Sequence, residues 1–185
     1  MKVEPIRRVK DVRAIRRLLE NSPREYCLFV IGISTNLRAS DILQLTIGQV
    51  KNVRTGGEVE LIEKKTKKRR RITFNDDVVK SVQNLLAMYD DKYSANDALF
   101  QGQRGPMTSK TVTRLVKDWC DAINLDGNYG SHSLRKTFGF HQRTRFGTSI
   151  VVLMEMYNHS TQKQTMDYLC VQPEEVKDAY LKIAY

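Results

Sequence analysis

Cysteine is scarce in this 185-residue chain: Cys27, Cys120 and Cys170 are odd in number, scattered, and nowhere in CxxC spacing. That pattern argues against a disulfide framework and against a zinc site, and leaves the three thiols as small buried hydrophobes. Long apolar runs are missing too. No stretch approaches the ~18 residues that span a bilayer, and the opening MKVEPIRRVKDV lacks the apolar core of a signal peptide, so the expectation is a cytoplasmic protein. There is no HExxH, no carboxylate cluster at ligand spacing, no P-loop and no GxGxxG, so neither a metal nor a nucleotide cofactor is expected. Negative charge is the minority sign. Thirty-one Lys and Arg face twenty-one Asp and Glu, a net +10, which points to a polyanionic partner.

What is present is mostly helical periodicity. Residues 8–20 carry Val9, Val12, Ile15, Leu18 and Leu19 as one apolar stripe with arginines opposite. Ser22 before Pro23 marks the start of a second, apolar helix through YCLFVIGIS. In TNLRASDILQL, Ser40 is placed to cap a short helix that buries Ile42, Leu43 and Leu45, with Arg38 just ahead of it. Residues 50–74 change period. Gly56-Gly57 is a turn signal, and Val59 and Leu61, then Ile72 and Phe74, alternate with polar neighbours as in a small antiparallel sheet. The turn within that sheet is KKTKKRRR, seven basic residues in eight.

Asn75 then reads as the N-cap of a helix with Val78, Val82, Leu85, Leu86 and Tyr89 on its apolar face. A loop follows, pinned by Leu99 and Phe100. Thr108 or Ser109 opens a helix whose Val112, Leu115, Val116, Trp119 and Ile123 form a stripe, with Trp119 assigned to the core. The last third holds all three histidines. His132 and Arg135, at i and i+3, share a helix face near its N-terminus, where free N–H groups and the helix dipole favour anions. Leu134 and Phe138 anchor that helix, Gly139 is placed to let another backbone pass close by, and His141 is read as structural. An apolar helix, GTSIVVLMEMYNHS, leads to His159; Thr161 with Gln164 then suggests a capping box for a helix delivering Tyr168.

LRASD at 37–41, HSLR at 132–135, NHS at 158–160 and DYL at 167–169 together resemble the catalytic domain of the tyrosine recombinases, the integrases of phages and mobile elements. The resemblance covers about residues 8–178. It implies an α+β fold, mainly helical with a small three-stranded antiparallel sheet, and one catalytic domain over 1–185 without the N-terminal core-binding domain. It implies site-specific cutting and rejoining of double-stranded DNA through a 3′-phosphotyrosine, with no cofactor, by a homo-oligomer on DNA forming a tetrameric synapse. The catalytic set carried over is Arg38, Lys65, His132, Arg135, His159 and the nucleophile Tyr168, nine residues after the histidine. Lys65 before Thr66 matches the family's hairpin lysine, and Lys64, Lys67, Lys68, Arg69 and Arg70 are expected to grip DNA. Asp41 stands where glutamate is usual, and is expected to support the arginine cluster. Tyr157 and Asn158 replace the usual Leu-Gly, which puts the local backbone in question.

Two other readings stay beside this one: a type IB topoisomerase-like DNA-relaxing enzyme, and a non-catalytic basic DNA-binding protein. Residues 173–185 carry Val176, Ala179, Tyr180 and Ile183 as a stripe; such a tail packs on a neighbouring protomer or on its own domain, and both stay open.

Overall fold

The computed structural model describes residues 3–90, 92–103, 105–169 and 181. Its contacts divide the chain into two compact units, Met1–Phe138 and Gly139–Tyr185.

The first unit opens with α1 (Val9–Leu18) and α2 (Pro23–Ser34). Proline at the first position of α2 fits the fixed φ and missing donor of that residue. Two one-turn helices follow, α3 (Ala39–Ile42) and α4 (Ile47–Val50), then the ribbon β1 (Glu58–Ile62) and β2 (Arg69–Thr73). Asn75 caps α5 (Asp76–Tyr89) by accepting from the Val78 amide at 2.9 Å. A short pair, β3 (Gln101–Gly102) with β4 (Gly105–Pro106), precedes α6 (Ser109–Ala122), capped by Thr108. The helix α7 (Ser131–Thr144) begins in this unit and ends in the next.

The core of the first unit is the set of apolar faces that helical and strand periods placed together. Cys27, Leu28, Phe29 and Ile31 of α2 are fully buried, with Val78 and Leu85 of α5, Val112 and Val116 of α6, and Leu99 and Phe100 between them. Trp119 is core, as expected. Its ring meets Phe29 edge-on at 5.8 Å and its indole donates to Glu25 Oε2 at 3.0 Å, so the polar handle of a buried indole is satisfied. Burial pushes the Cys27 and Cys120 thiols up to about 12, in keeping with small buried hydrophobes. Cys170 lies outside the described residues.

Three expectations are corrected. Ser40 does not cap α3: the amides of Asp41 and Ile42 donate to the Arg38 carbonyl at 2.8 and 2.9 Å, which makes Arg38 the N-cap and puts Ser40 inside the helix. The class, mainly helical with small antiparallel sheets, holds, but the described strands form two separate two-stranded ribbons where one three-stranded sheet was expected. The segment before Gly56 forms no strand. Thr46 and Gln49 make a reciprocal capping box that winds residues 47–50 into α4, and the chain turns out of it through Val53. The residues beside Gly139 are also different from those foreseen, as described below.

The second unit is described through the end of α7, α8 (Ile150–Tyr157), capped by Ser149, and α9 (Gln162–Leu169), which packs on α8. Its core is Leu153, Tyr157 and Leu169. Of the Thr161–Gln164 box, the structure gives the Thr161 hydroxyl accepting from the Gln164 amide at 3.2 Å. The tail 173–185 falls outside the described residues, save Leu181. Among the described residues no helix is long and apolar enough to cross a membrane.

Candidate active site

In the first unit, four of the carried-over residues reach one neighbourhood by three routes. Arg38 follows α2 through Asn36, whose left-handed φ of 56° turns the chain, and through Leu37, which is buried and holds the turn down. His132 and Arg135 come from the first turns of α7. That helix is set close against α2 because Gly32 has no side chain: a Cβ there would meet Leu134 Cδ1 at 2.6 Å. Lys65 comes from the tip of the β1–β2 hairpin and is exposed.

The electrostatics of His132 reports their proximity. Its edge is open to solvent, yet protein crowds the ring, and this desolvation first, then the positive charges of Arg135, Arg38, Lys65 and Lys136, hold the imidazole below its ordinary value. A histidine so placed stays neutral near pH 7 and can accept a proton. Arg135 itself is only 2% exposed, an expensive place for a guanidinium unless it has a function or partners there.

Arg38 is held by two buried carboxylates. Its Nη1 lies 2.9 Å from Glu63 Oε2 and 3.7 Å from Asp41 Oδ2. Both ion pairs use Nη1, which leaves Nε and Nη2 of the five-donor fork outside them. A cation at a helix start is disfavoured without an anion nearby, and these two acids supply it. Asp41 thus keeps the supporting contact expected of the usual glutamate, and its Oδ1 also accepts from the Lys64 amide at 2.9 Å.

Glu63 is the residue that sequence reading missed. It is fully buried and takes Arg70 Nη1 at 3.1 Å on Oε1, with the Thr66 hydroxyl donating to Oε2 at 2.5 Å. Burial would raise its carboxyl, but the Thr66 hydrogen bond and the charges of Arg38 and Arg70 outweigh it and hold the group below the usual carboxylate range. Arg70 therefore departs from the exposed, DNA-gripping set expected of it. It is 10% exposed and turned inward onto Glu63, and burial lowers its guanidinium. The cause is the strand period: β1 and β2 bury every second residue, so Val59 and Leu61 lead to Glu63, and Phe74 and Ile72 lead back to Arg70. Lys64, Lys67, Lys68 and Arg69 do lie exposed around the tip.

In the second unit, the substitution of Tyr157-Asn158 for Leu-Gly is accommodated. Asn158 adopts φ 56°, ψ 40°, its amide donating to the Glu155 carbonyl at 2.9 Å while the His159 amide donates to Met154 at 3.0 Å. That is the paired bonding of a Schellman motif, in which Asn is the usual alternative to Gly. It fixes where His159 leaves the helix. Tyr157 is wholly buried and its ring stacks on His159, centroids 5.0 Å apart and 20° between planes. Tyr168, half-buried on α9, lies 5.0 Å from the Tyr157 ring and 5.5 Å from His159. His159 Nδ1 is 3.0 Å from the buried Thr165 hydroxyl. Gly139 makes room for this cluster. A Cβ there would run into the Tyr157 phenol and Leu169 Cδ2, so side chains fill the gap where a backbone was expected.

The family model for the phage integrase family matches residues 8–175. The chain belongs to the phage integrase family. Probable integrase/recombinase YoeC of Bacillus subtilis (strain 168) is 34% identical over 183 residues, covering 96% of this chain and 95% of that protein. Tyrosine recombinase XerC of Caldanaerobacter subterraneus subsp. tengcongensis is 26% identical, over 86% of this chain and 44% of its own length. A solved structure of the XerH site-specific recombinase, bound to a palindromic difH substrate in a post-cleavage complex, superposes with a TM-score of 0.79 at 17% identity, over 97% of this chain and 53% of that one. The integrase-family chain thus spans nearly all of YoeC and about half of XerC and XerH. Its class is that of the tyrosine-type site-specific recombinases.

Proposed function

We propose that this recombinase cuts and rejoins double-stranded DNA through a covalent 3′-phosphotyrosine on Tyr168. The observation that carries the reading is the shared neighbourhood of His132, Arg135, Arg38 and Lys65, assembled from α7, the α2–α3 junction and the hairpin, where burial first and then these cations hold His132 below its ordinary value. A set of cations around one neutral proton acceptor suits a phosphodiester whose charge grows in the transition state.

In this reading the Tyr168 oxygen attacks phosphorus, the P–O5′ bond breaks, and the 5′ oxygen leaves as a hydroxyl. Splitting the transfer through an enzyme-bound ester keeps the bond energy, so strands rejoin without ATP. Arg38 and Arg135 contact the non-bridging oxygens, where planar guanidinium forks bind best. His132 takes the phenol proton and Lys65 supplies one to the departing 5′ oxygen. His159 donates to the phosphate through Nε2, the tautomer favoured when the Thr165 hydroxyl donates to Nδ1. A phenol ordinarily titrates near ~10, so the cationic set also lowers the cost of forming phenolate.

Lys64, Lys67, Lys68 and Arg69 hold the DNA backbone from the hairpin, and affinity falls with salt accordingly. The Tn1549 transposon integrase, a fold neighbour, is in complex with transposon right end DNA, which supports DNA as the partner. Residues 1–185 act as one catalytic domain, in the cytoplasm, within a tetrameric synapse, the tail 173–185 serving assembly. The test is a nicked suicide duplex carrying a site selected by this chain from a random-sequence pool. The wild type should give a covalent adduct mapping to Tyr168, and Tyr168→Phe should bind equally and give none. An adduct on another residue, or none on duplexes bound tightly, overturns the proposal.

A further inference from the structure

We infer that Glu63 is a positioning residue that couples the placement of Lys65 to that of Arg38. The inference rests on the reading of Lys65 as the proton donor to the leaving 5′ oxygen, and it concerns a residue which that reading leaves without a role.

The hairpin tip is held on both sides of Lys65. On one side the Lys64 amide donates to Asp41 Oδ1 at 2.9 Å; on the other the Thr66 hydroxyl donates to Glu63 Oε2 at 2.5 Å. The main chain closes the turn over the same residue: the Glu63 amide donates to Lys68 and the Lys67 amide to Glu63, each at 2.9 Å, with Lys67 at a left-handed φ of 59°. Asp41 and Glu63 are also the two carboxylates paired with Arg38 Nη1. Oε2 of Glu63 serves Arg38 and Thr66 at once, while Oε1 takes Arg70. Two buried acids are matched by two inward arginines, so Glu63 stays ionised in place and Arg38 cannot shift without moving the atom that fixes Thr66. A buried ion network need not add stability over apolar packing. One that ends on both a phosphate-binding arginine and the turn carrying the acid has a reason to be charged.

The chemistry allows a direct test. In the cleavage step the Tyr168 O–P bond forms, the P–O5′ bond breaks, and the Lys65 ammonium proton passes to O5′. With sulfur at the 5′ bridging position the thiolate leaves without that proton, and loss of the acid no longer matters. Adduct formation is measured on the selected nicked duplex with oxygen and with sulfur at that position, for wild type, Lys65→Ala, Glu63→Gln and Thr66→Val. General acid catalysis contributes about 10²–10⁴-fold. Lys65→Ala should lose roughly that factor on oxygen and recover on sulfur; Glu63→Gln should lose about 10–100-fold on oxygen and recover most of it on sulfur, the remainder being the share of Arg38. Thr66→Val, at an exposed position, should give a smaller defect of the same kind and guards against misfolding of the buried variant. If Lys65→Ala recovers on sulfur while Glu63→Gln and Thr66→Val are equally slow on both substrates, or not slow at all, the coupling is overturned. If Lys65→Ala itself fails to recover, the assignment of Lys65 falls and the role of Glu63 with it.

Discussion

Gly139→Ala is the substitution for which helix propensity and packing forecast opposite results. Gly139 lies inside α7, and in an ordinary helix interior alanine is more stable than glycine by about 1 kcal/mol. Here the new methyl would run into the Tyr157 phenol oxygen and Leu169 Cδ2, with Tyr157 Cζ at 2.8 Å. Both neighbours are buried, Tyr157 completely, so neither can swing into solvent. Overpacking of this kind costs about 1–3 kcal/mol, and three overlaps at one site argue for the upper end. Subtracting the helix gain leaves a net loss of about 2 kcal/mol, or a fall in Tm of about 4–8 °C for a chain of this size. The functional effect should be larger than the loss of stability. Tyr157 stacks on His159 and touches the Tyr168 ring, so displacing it disturbs both, and adduct formation should slow at least tenfold at temperatures where the variant is folded. Calorimetry and the suicide-duplex assay measure the two effects. Tyr157→Phe removes the worst overlap, so Gly139→Ala/Tyr157→Phe should be less impaired than the sum of the two single variants, a coupling that a double-mutant cycle isolates. A Gly139→Ala protein about 1 kcal/mol more stable than wild type, with an unchanged adduct rate, would refute the packing argument.

Two further expectations follow from single residues. Asn158 sits at φ 56°, where alanine costs about 1–2 kcal/mol and glycine nothing; Asn158→Ala should lower the Tm and slow adduct formation by displacing His159, and Asn158→Gly should leave both near wild type, whereas equal behaviour of the two would show that the left-handed cap does not matter. His132 is held below its ordinary value by burial and by Arg135, Arg38, Lys65 and Lys136. The unfolded chain therefore binds this proton more readily than the folded one, so the stability linked to His132 is present above about pH 6.5 and is lost as pH falls from there through the folded value. The acid limb of the adduct-formation rate should likewise lie below pH 6.5, and in the residual activity of Lys65→Ala it should move upward; a limb at the ordinary histidine value, unmoved by that change, would count against the neighbourhood described.

Much of the fold was legible from period alone, because side chains on one helix face or one strand face must share an environment. The stripes of α5 and α6 became core faces, that of α1 did so through Ile15 and the adjoining Leu19 while Leu18 stays exposed, Asn75 and Thr108 became caps, and Trp119 became core. The hairpin was legible as strands but not in its number of partners. The Thr46–Gln49 capping box takes residues 47–50 into a helix, and the chain leaves it through a turn without forming a strand before Gly56.

The site divides along the same line. The resemblance of LRASD, HSLR, NHS and DYL to the tyrosine recombinases singled out Arg38, Lys65, His132, Arg135, His159 and Tyr168 as a set, because the side chains that such chemistry on a phosphodiester calls for stand at motif positions that can be matched as letters. Glu63 and Arg70 were hidden inside a run of charge, where composition reads every residue as solvated. Only extending the alternation of Val59 and Leu61 by one step, and of Phe74 and Ile72 by one step back, would have turned them inward. The stacking of Tyr157 on His159, the side chains that fill the gap at Gly139 and the hold of Thr165 on His159 had no signal in the sequence at all. They depend on which side chains meet across α7, α8 and α9, and such contacts come from packing between distant segments, which no local pattern of residues encodes.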